Sequence, residues 1–211
     1  HRPVAEAQRL GALVLPLGDR LQAAADDLGH IGRREQRQAE QRAAGEALGV
    51  YDIEFLGHRD GHLVPTIAIR GEVVRAIRRV RPQRMLIQSP ERNWERIGAS
   101  HPDHLAAGEI AIQAVYPDAR NEFAFPALLA EGLEPWVVNE VWVMGKQERN
   151  HYVDITDTFD RKIAALRAHR SQTSHMEELP DYIRSWAERY AVEAGFAAGQ
   201  LVEGFFVAQT G

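Results

Sequence analysis

Apolar positions recur along this chain with periods of two and of three to four, and together they predict alternating helices, strands and loops. Residues 11–17, Gly-Ala-Leu-Val-Leu-Pro-Leu, read as a short buried strand, and the Ala-rich stretch 21–28 ends at Gly29. Residues 33–48 are charged and Ala-rich without proline, and Gly49 stands where a helix C-terminal glycine belongs, which predicts a helix. Val50-Tyr-Asp-Ile-Glu-Phe-Leu56 alternates apolar with polar positions and predicts a strand that delivers the loop Gly57-His-Arg-Asp-Gly61 to a sheet edge, where α/β proteins keep their sites. A helix is expected from Gly71 to Val80, with Val73, Val74, Ile77 and Val80 at helical spacing and Arg75, Arg78 and Arg79 largely on the other side, and Arg81-Pro82 closes it. Met85-Leu-Ile-Gln-Ser89 is the next strand, ending at Pro90, and 91–100 is a polar loop. A helix over 105–115 follows, then a surface wrap over 121–135 around a short helix at 127–131. Strands are expected over 137–144 and 152–155, and a helix runs from Thr156 through Arg170, capped by Thr156-Asp157-Thr158. A further helix over 182–194 and a terminal strand over 203–208 complete the pattern, with no internal repeat and no low-complexity linker.

Composition narrows the class. The 211 residues are 45% hydrophobic and 26% charged, which describes a folded globular chain and excludes global disorder. With 25 basic and 30 acidic side chains the formal charge is −5, so the basic excess that a nucleic-acid binder sets against phosphate is missing. The Arg-rich run 70–84 reads as a solvated helix face rather than as an anion patch. There is no cysteine, hence no disulfide and no thiolate, and a metal would rest on His, Asp or Glu. No apolar run approaches the roughly 18 residues of a membrane span and no signal peptide is visible, although the chain begins with His1; a cytoplasmic location without a membrane partner is expected. All basic residues but Lys146 and Lys162 are Arg, a bias that points to a GC-rich bacterial genome.

The sharpest local feature is Ser100-His101-Pro102-Asp103-His104, with proline suited to a first helical turn. Histidines three apart at a helix start share one face, so one imidazole can bind a metal while the other contacts a ligand of that metal, with Asp103 orienting a ring. A polar helix cap explains the same residues equally well. His58-x-Asp60-x-His62 would project three side chains together if extended, but Gly57 and Gly61 argue for a turn with exposed histidines and leave Asp60 as the residue placed for a polar substrate. His151 and His169 read as capping or packing residues, and the four tryptophans as packing, with an aromatic sugar platform as the minor alternative. Glycine-rich nucleotide loops, a G-x-S-x-G elbow and H-E-x-x-H are all missing.

Several of these pieces in order resemble the PIG-L/LmbE-like family of zinc-dependent N-deacetylases. They are Arg37-x-x-Glu40-Gln-Arg-Ala-Ala, Leu48-Gly49-Val50, Glu54-Phe-Leu-Gly57 with Asp60-Gly61, Ser89-Pro90, His101-Pro-Asp-His104 running into Leu105-Ala-Ala-Gly, Asp157-x-x-x-Arg161-Lys162 and His169-x-Ser-Gln172. The resemblance spans 37–211 of a single 1–211 domain, with 1–36 atypical. It implies an α/β, Rossmann-like, mostly parallel sheet with helices on both faces, and hydrolysis of the linear amide C–N bond of an N-acetylated amino sugar or sugar-linked thiol metabolite. It further implies zinc as cofactor with His104 as a ligand, His101 as oxyanion stabiliser or proton-transfer group and Asp103 as its supporting carboxylate. Asp60 and Arg37 would contact a small-molecule N-acetylated sugar, and a homo-oligomer is compatible with the family.

One family piece is missing. The Ala-His-Pro-Asp-Asp segment that ends the first family strand, with two zinc ligands and the general base, is not found in 1–36, so the first strand is expected to be missing or altered. Either the chain is a fragment, or its first segment is out of frame or replaced. A catalytic zinc normally has three protein ligands, so His104 alone predicts impaired deacetylation. The rival expectation is a non-catalytic sugar-binding or scaffold protein on the same fold; a metal-free hydrolase built on His101 and Asp103 lacks a nucleophile.

Overall fold

The computed structural model describes the backbone of residues 12–14 and 27–211 and the side chains from residue 32 onward. These residues fall into two units, one of 12–14, 56–151 and 205–211 and the other of 27–55 and 152–204.

In the first unit, β1 (Ala12–Val14), β2 (Arg84–Gln88) and β3 (Glu140–Met144) run parallel, with Leu13 opposite Met85 and Leu86 opposite Trp142. The last strand, β5 (Val202–Gln209), lies antiparallel to β3 through Phe206 opposite Val143. This mixed α/β sheet is the expected class, and the strand expected over 11–17 appears as β1. α2 (Ile67–Val80) opens at Thr66, whose hydroxyl accepts from the Ile69 amide, and ends at Arg81 in the left-handed region. α3 (Pro102–Val115) and the five-residue α4 (Pro126–Ala130) complete the unit. The core forms where α2 contributes Val73, Val74 and Ile77, β2 Met85 and Ile87, α3 Ile110, Ala111 and Ala114, and β3 Val141 and Val143. Each large apolar side chain removed from water there contributes roughly 1.5–3 kcal/mol.

Arg78 departs from the solvated face expected for it. It is 2% exposed, and its guanidinium donates to the carbonyls of Ala119, Leu133, Asp118, Asn121 and Ala124. A helix face that looks amphipathic thus hides one cation whose partners are carbonyls of the 117–136 excursion. Burial lowers its pKa, against the pull of the Asp118 and Glu134 charges. The neighbouring arginines behave as solvated partners do, Arg75 pairing with Glu131 and Arg84 with Glu140.

In the second unit, α1 (Asp27–Leu48) passes through Gly29, where an element end was expected, and stops at Gly49 with φ +76° as expected. The strand expected over 50–56 does not form. Its alternating side chains pack on α1 instead: Ile53 reaches over Gly45, and Phe55 lies under the Arg42 guanidinium at 5.0 Å. β4 (His151–Asp154) precedes α5 (Phe159–Ala168), α6 (Arg170–Thr173) and α7 (Leu179–Glu193). The helix expected from Thr156 through Arg170 breaks at His169. The Ser171 amide, which a continuous helix would use internally, donates to Glu40 at 2.8 Å. Arg161 donates to the Ala47 carbonyl at 3.3 Å, satisfying an end of α1. Ile155, Phe159, Ala187 and Leu201 form this unit's core.

Candidate active site

The parallel strands bring their C-terminal ends to one edge of the sheet, and β2 leaves that edge through Ser89-Pro90 into the loop that returns at His101. α3 then packs directly against the turn. A Cβ at Gly108 would lie 2.5 Å from the Gln88 carbonyl oxygen and 2.7 Å from the Pro90 nitrogen, so only glycine admits this helix so close to the strand end. The helix start is built from the motif itself. His101 is the N-cap, its Nδ1 accepting from the Asp103 amide at 3.2 Å, and Pro102 occupies a first-turn position where no N–H is needed. Because Nδ1 accepts, the neutral ring carries its proton on Nε2. His104, 9% exposed, sits one turn on with its ring centroid 5.5 Å from that of His101.

Asp103 is 6% exposed, and its carboxylate reaches across the unit: Oδ2 accepts from the Gly61 amide at 2.6 Å and Oδ1 from the Leu63 amide at 3.2 Å. It therefore meets His101 through its backbone N–H and meets the 57–63 loop through its carboxylate. Asp60 stands exposed on that loop, directly before Gly61, whose φ of +75° suits the turn to glycine. His101, Asp103, His104 and the Asp60 loop are thus joined in the first unit, whereas Arg37 lies on α1 in the second. His58 pairs with Glu72 at 2.8 Å, His62 is exposed, and His151 packs edge-on against Trp142 at 4.5 Å.

Two contributions escape sequence reasoning. Glu40 and Ser171 come from separate motif pieces and meet, Ser171 donating its hydroxyl to Glu40 at 2.6 Å. Burial alone would raise the Glu40 pKa, but the Ser171 hydroxyl and amide, Gln36 and the Arg37 charge hold it below the ordinary carboxylate range. The Asp103 carboxylate's bond to a loop 40 residues upstream is likewise invisible before folding; only the presence of two glycines around Asp60 hints at a turn needing support.

The donor set decides what metal the described residues fit. His101 and His104 supply imidazoles, Asp103 is engaged by amides, and among the described residues no three His, Asp or Glu side chains come together. The sequence after β1 reads Leu15-Pro16-Leu17-Gly18-Asp19, without histidine. The described residues by themselves do not make the three-ligand catalytic zinc site that the resemblance implies.

Residues 2–115 match the family described as PIG-L, GlcNAc-PI de-N-acetylase. The diacetylchitobiose deacetylase of Thermococcus kodakarensis is 33% identical over 177 residues, 82% of this chain and 64% of that protein. A protein of Bacillus cereus named probable N-acetyl-alpha-D-glucosaminyl L-malate deacetylase 2 is 31% identical over 173 residues, 80% of this chain and 70% of that protein. Among solved structures, the N,N'-diacetylchitobiose deacetylase of Pyrococcus horikoshii superposes with a TM-score of 0.74 at 28% identity, over 83% of this chain and 64% of that one. The chain thus spans a little under two thirds of the length of the two chitobiose deacetylases.

Proposed function

Since the chain belongs to the PIG-L family of GlcNAc-PI de-N-acetylases, we propose that its site serves hydrolysis of the acetamide of an N-acetylated amino sugar, and that this chain performs it at a strongly reduced rate. The observation that carries the reading is the helix start itself: His101 and His104 side by side at the start of α3, their rings tilted with centroids 5.5 Å apart, with Asp103 holding the Asp60 loop. His101 Nε2–H donates to the carbonyl oxygen as charge develops on it, and the N-cap bond to Asp103 fixes ring and tautomer beforehand. Asp60 accepts from sugar hydroxyls, and Asp103 positions it through the Gly61 amide.

Zinc supplies the polarising and water-activating chemistry when bound in such deacetylases. Leu15-Pro16-Leu17-Gly18-Asp19, directly after β1, brings it no histidine, and on this reading that accounts for the reduced rate. Elemental analysis of purified chain beside a His104→Ala sample, together with acetate release from N-acetylglucosamine derivatives, tests the proposal. Zinc well below one per chain with slow release, falling a further ~100-fold in His101→Ala, is the expected result. One zinc per chain, lost in His104→Ala and accompanied by brisk release, would overturn the impairment. Saturable sugar binding with no acetate release at all would favour the second reading, a sugar-binding protein on a deacetylase fold, which the lack of a three-donor set among the described residues also supports.

A further inference from the structure

The loop between β2 and His101 is held at several points, yet it leaves its aromatic residue in water. Lys146 grips both oxygens of Glu91 at 2.5 and 2.6 Å, and Gln147 donates to the Asn93 side chain at 3.3 Å. The Asn93 amide donates to the buried Ser100 hydroxyl at 2.8 Å, and Asn93 Oδ1 also accepts from the Arg96 amide at 2.8 Å. Trp94, inside this closed loop, is 79% exposed. The other tryptophans are occupied: Trp136 donates to the Pro82 carbonyl, Trp142 contacts both Arg84 and His151, and Trp186 lies at a tilt against Tyr182. The Arg92 guanidinium lies 5.7 Å from the Trp94 ring centroid.

We propose that the indole of Trp94 is a preformed stacking platform for a pyranose ring adjoining the acetamido sugar at His101, a contact that selects substrates with a second sugar ring. The inference rests on the deacetylase reading above. Two observations and the chemistry of an indole support it. The Asn93–Ser100 closure keeps the Trp94 Cα within roughly 14 Å of the His101 Cα, from ~3.8 Å per residue step and side-chain reach, a span that a disaccharide bridges. The hydrogen bonds and the Lys146–Glu91 pair hold the loop before any ligand arrives, which lowers the entropy lost on binding. An indole offers a broad apolar face to the C–H groups of a sugar and an N–H to its hydroxyls, the combination that makes aromatic side chains effective in otherwise polar sites.

Ligand-observed NMR titration of the full chain with N-acetylglucosamine and with its β-1,4-linked dimer, in chelator so that turnover is suppressed, tests the platform. In Trp94→Ala the dimer is expected to bind about tenfold more weakly and the monomer less than about threefold, with Trp94→Phe keeping most of the dimer affinity. Dimer affinity unchanged in Trp94→Ala overturns the platform and leaves the deacetylase reading standing. Failure of the wild-type chain to bind either sugar saturably overturns both.

Discussion

Both oxygens of Asp103 face backbone N–H groups of the 57–63 loop, so its replacement tests loop position more directly than it tests chemistry. Asparagine would place a donor against the Gly61 or Leu63 amide in a buried setting. Asp103→Asn is expected to lose about 1–3 kcal/mol of stability in urea denaturation and to speed hydrogen exchange at the Gly61 and Leu63 amides. Glu40 makes a second residue-level prediction. Its folded pKa is depressed through Ser171, Gln36 and Arg37 against the opposing effect of burial. Its stabilisation is therefore fully present above the unfolded carboxylate pKa of about 4.3 and is lost as pH falls through the folded value. Thermal melts across the acid range should show Glu40→Gln less stable than wild type near neutrality and less sensitive to acid; parallel curves would refute the assignment. At this scale the sequence made the His-Pro-Asp-His spacing legible because it is local. The amides that Asp103 serves lie 40 residues away and became its partners only through packing.

α3 is placed by Gly108, and one methyl group tests that placement. Gly108→Ala would gain up to about 1 kcal/mol of helix propensity, but its Cβ would meet backbone atoms of Gln88, Ser89 and Pro90 that cannot swing aside. The net expectation is a loss of about 1–3 kcal/mol, seen as a lower Tm, together with displaced His101 and His104 ring signals in NMR spectra. Unchanged Tm and ring shifts would show that the helix tolerates a wider spacing. The existence and C-terminal ends of α2 and α3 were legible because their apolar residues are a property of the segment alone, but each begins earlier than expected, α2 at Ile67 rather than Gly71 and α3 at Pro102 rather than Leu105. Alternation over 50–56 misled for a physical reason: Ile53 and Phe55 satisfy it by packing on α1, and periodicity does not say whether the partner is a strand or a helix. The break at His169 was equally hidden, since it depends on Glu40 receiving the Ser171 amide.

Across the molecule, the α/β class and parallel β1, β2 and β3 follow from the order of apolar runs, but β5 enters antiparallel, a direction that no pattern within the strand records. The long 117–136 excursion has no regular ladder and is organised by Arg78, so one substitution there acts on many residues. Arg78→Met is expected to cost about 3 kcal/mol or more in denaturant, because several carbonyls lose a charged donor together, and to increase exchange and protease sensitivity in the excursion. A loss below about 1 kcal/mol would mean that the excursion holds its shape by other contacts.

Lys146 carries a consequence of a practical kind. Only two lysines exist in the chain, and each is ion-paired, Lys146 with Glu91 and Lys162 with Glu203. Amine-directed labelling is therefore a two-address experiment on side chains. Reductive methylation preserves the positive charge and so the grip on Glu91, whereas acetylation abolishes it. Comparing the two labels separates the loop's tether from its chemistry without altering a single codon.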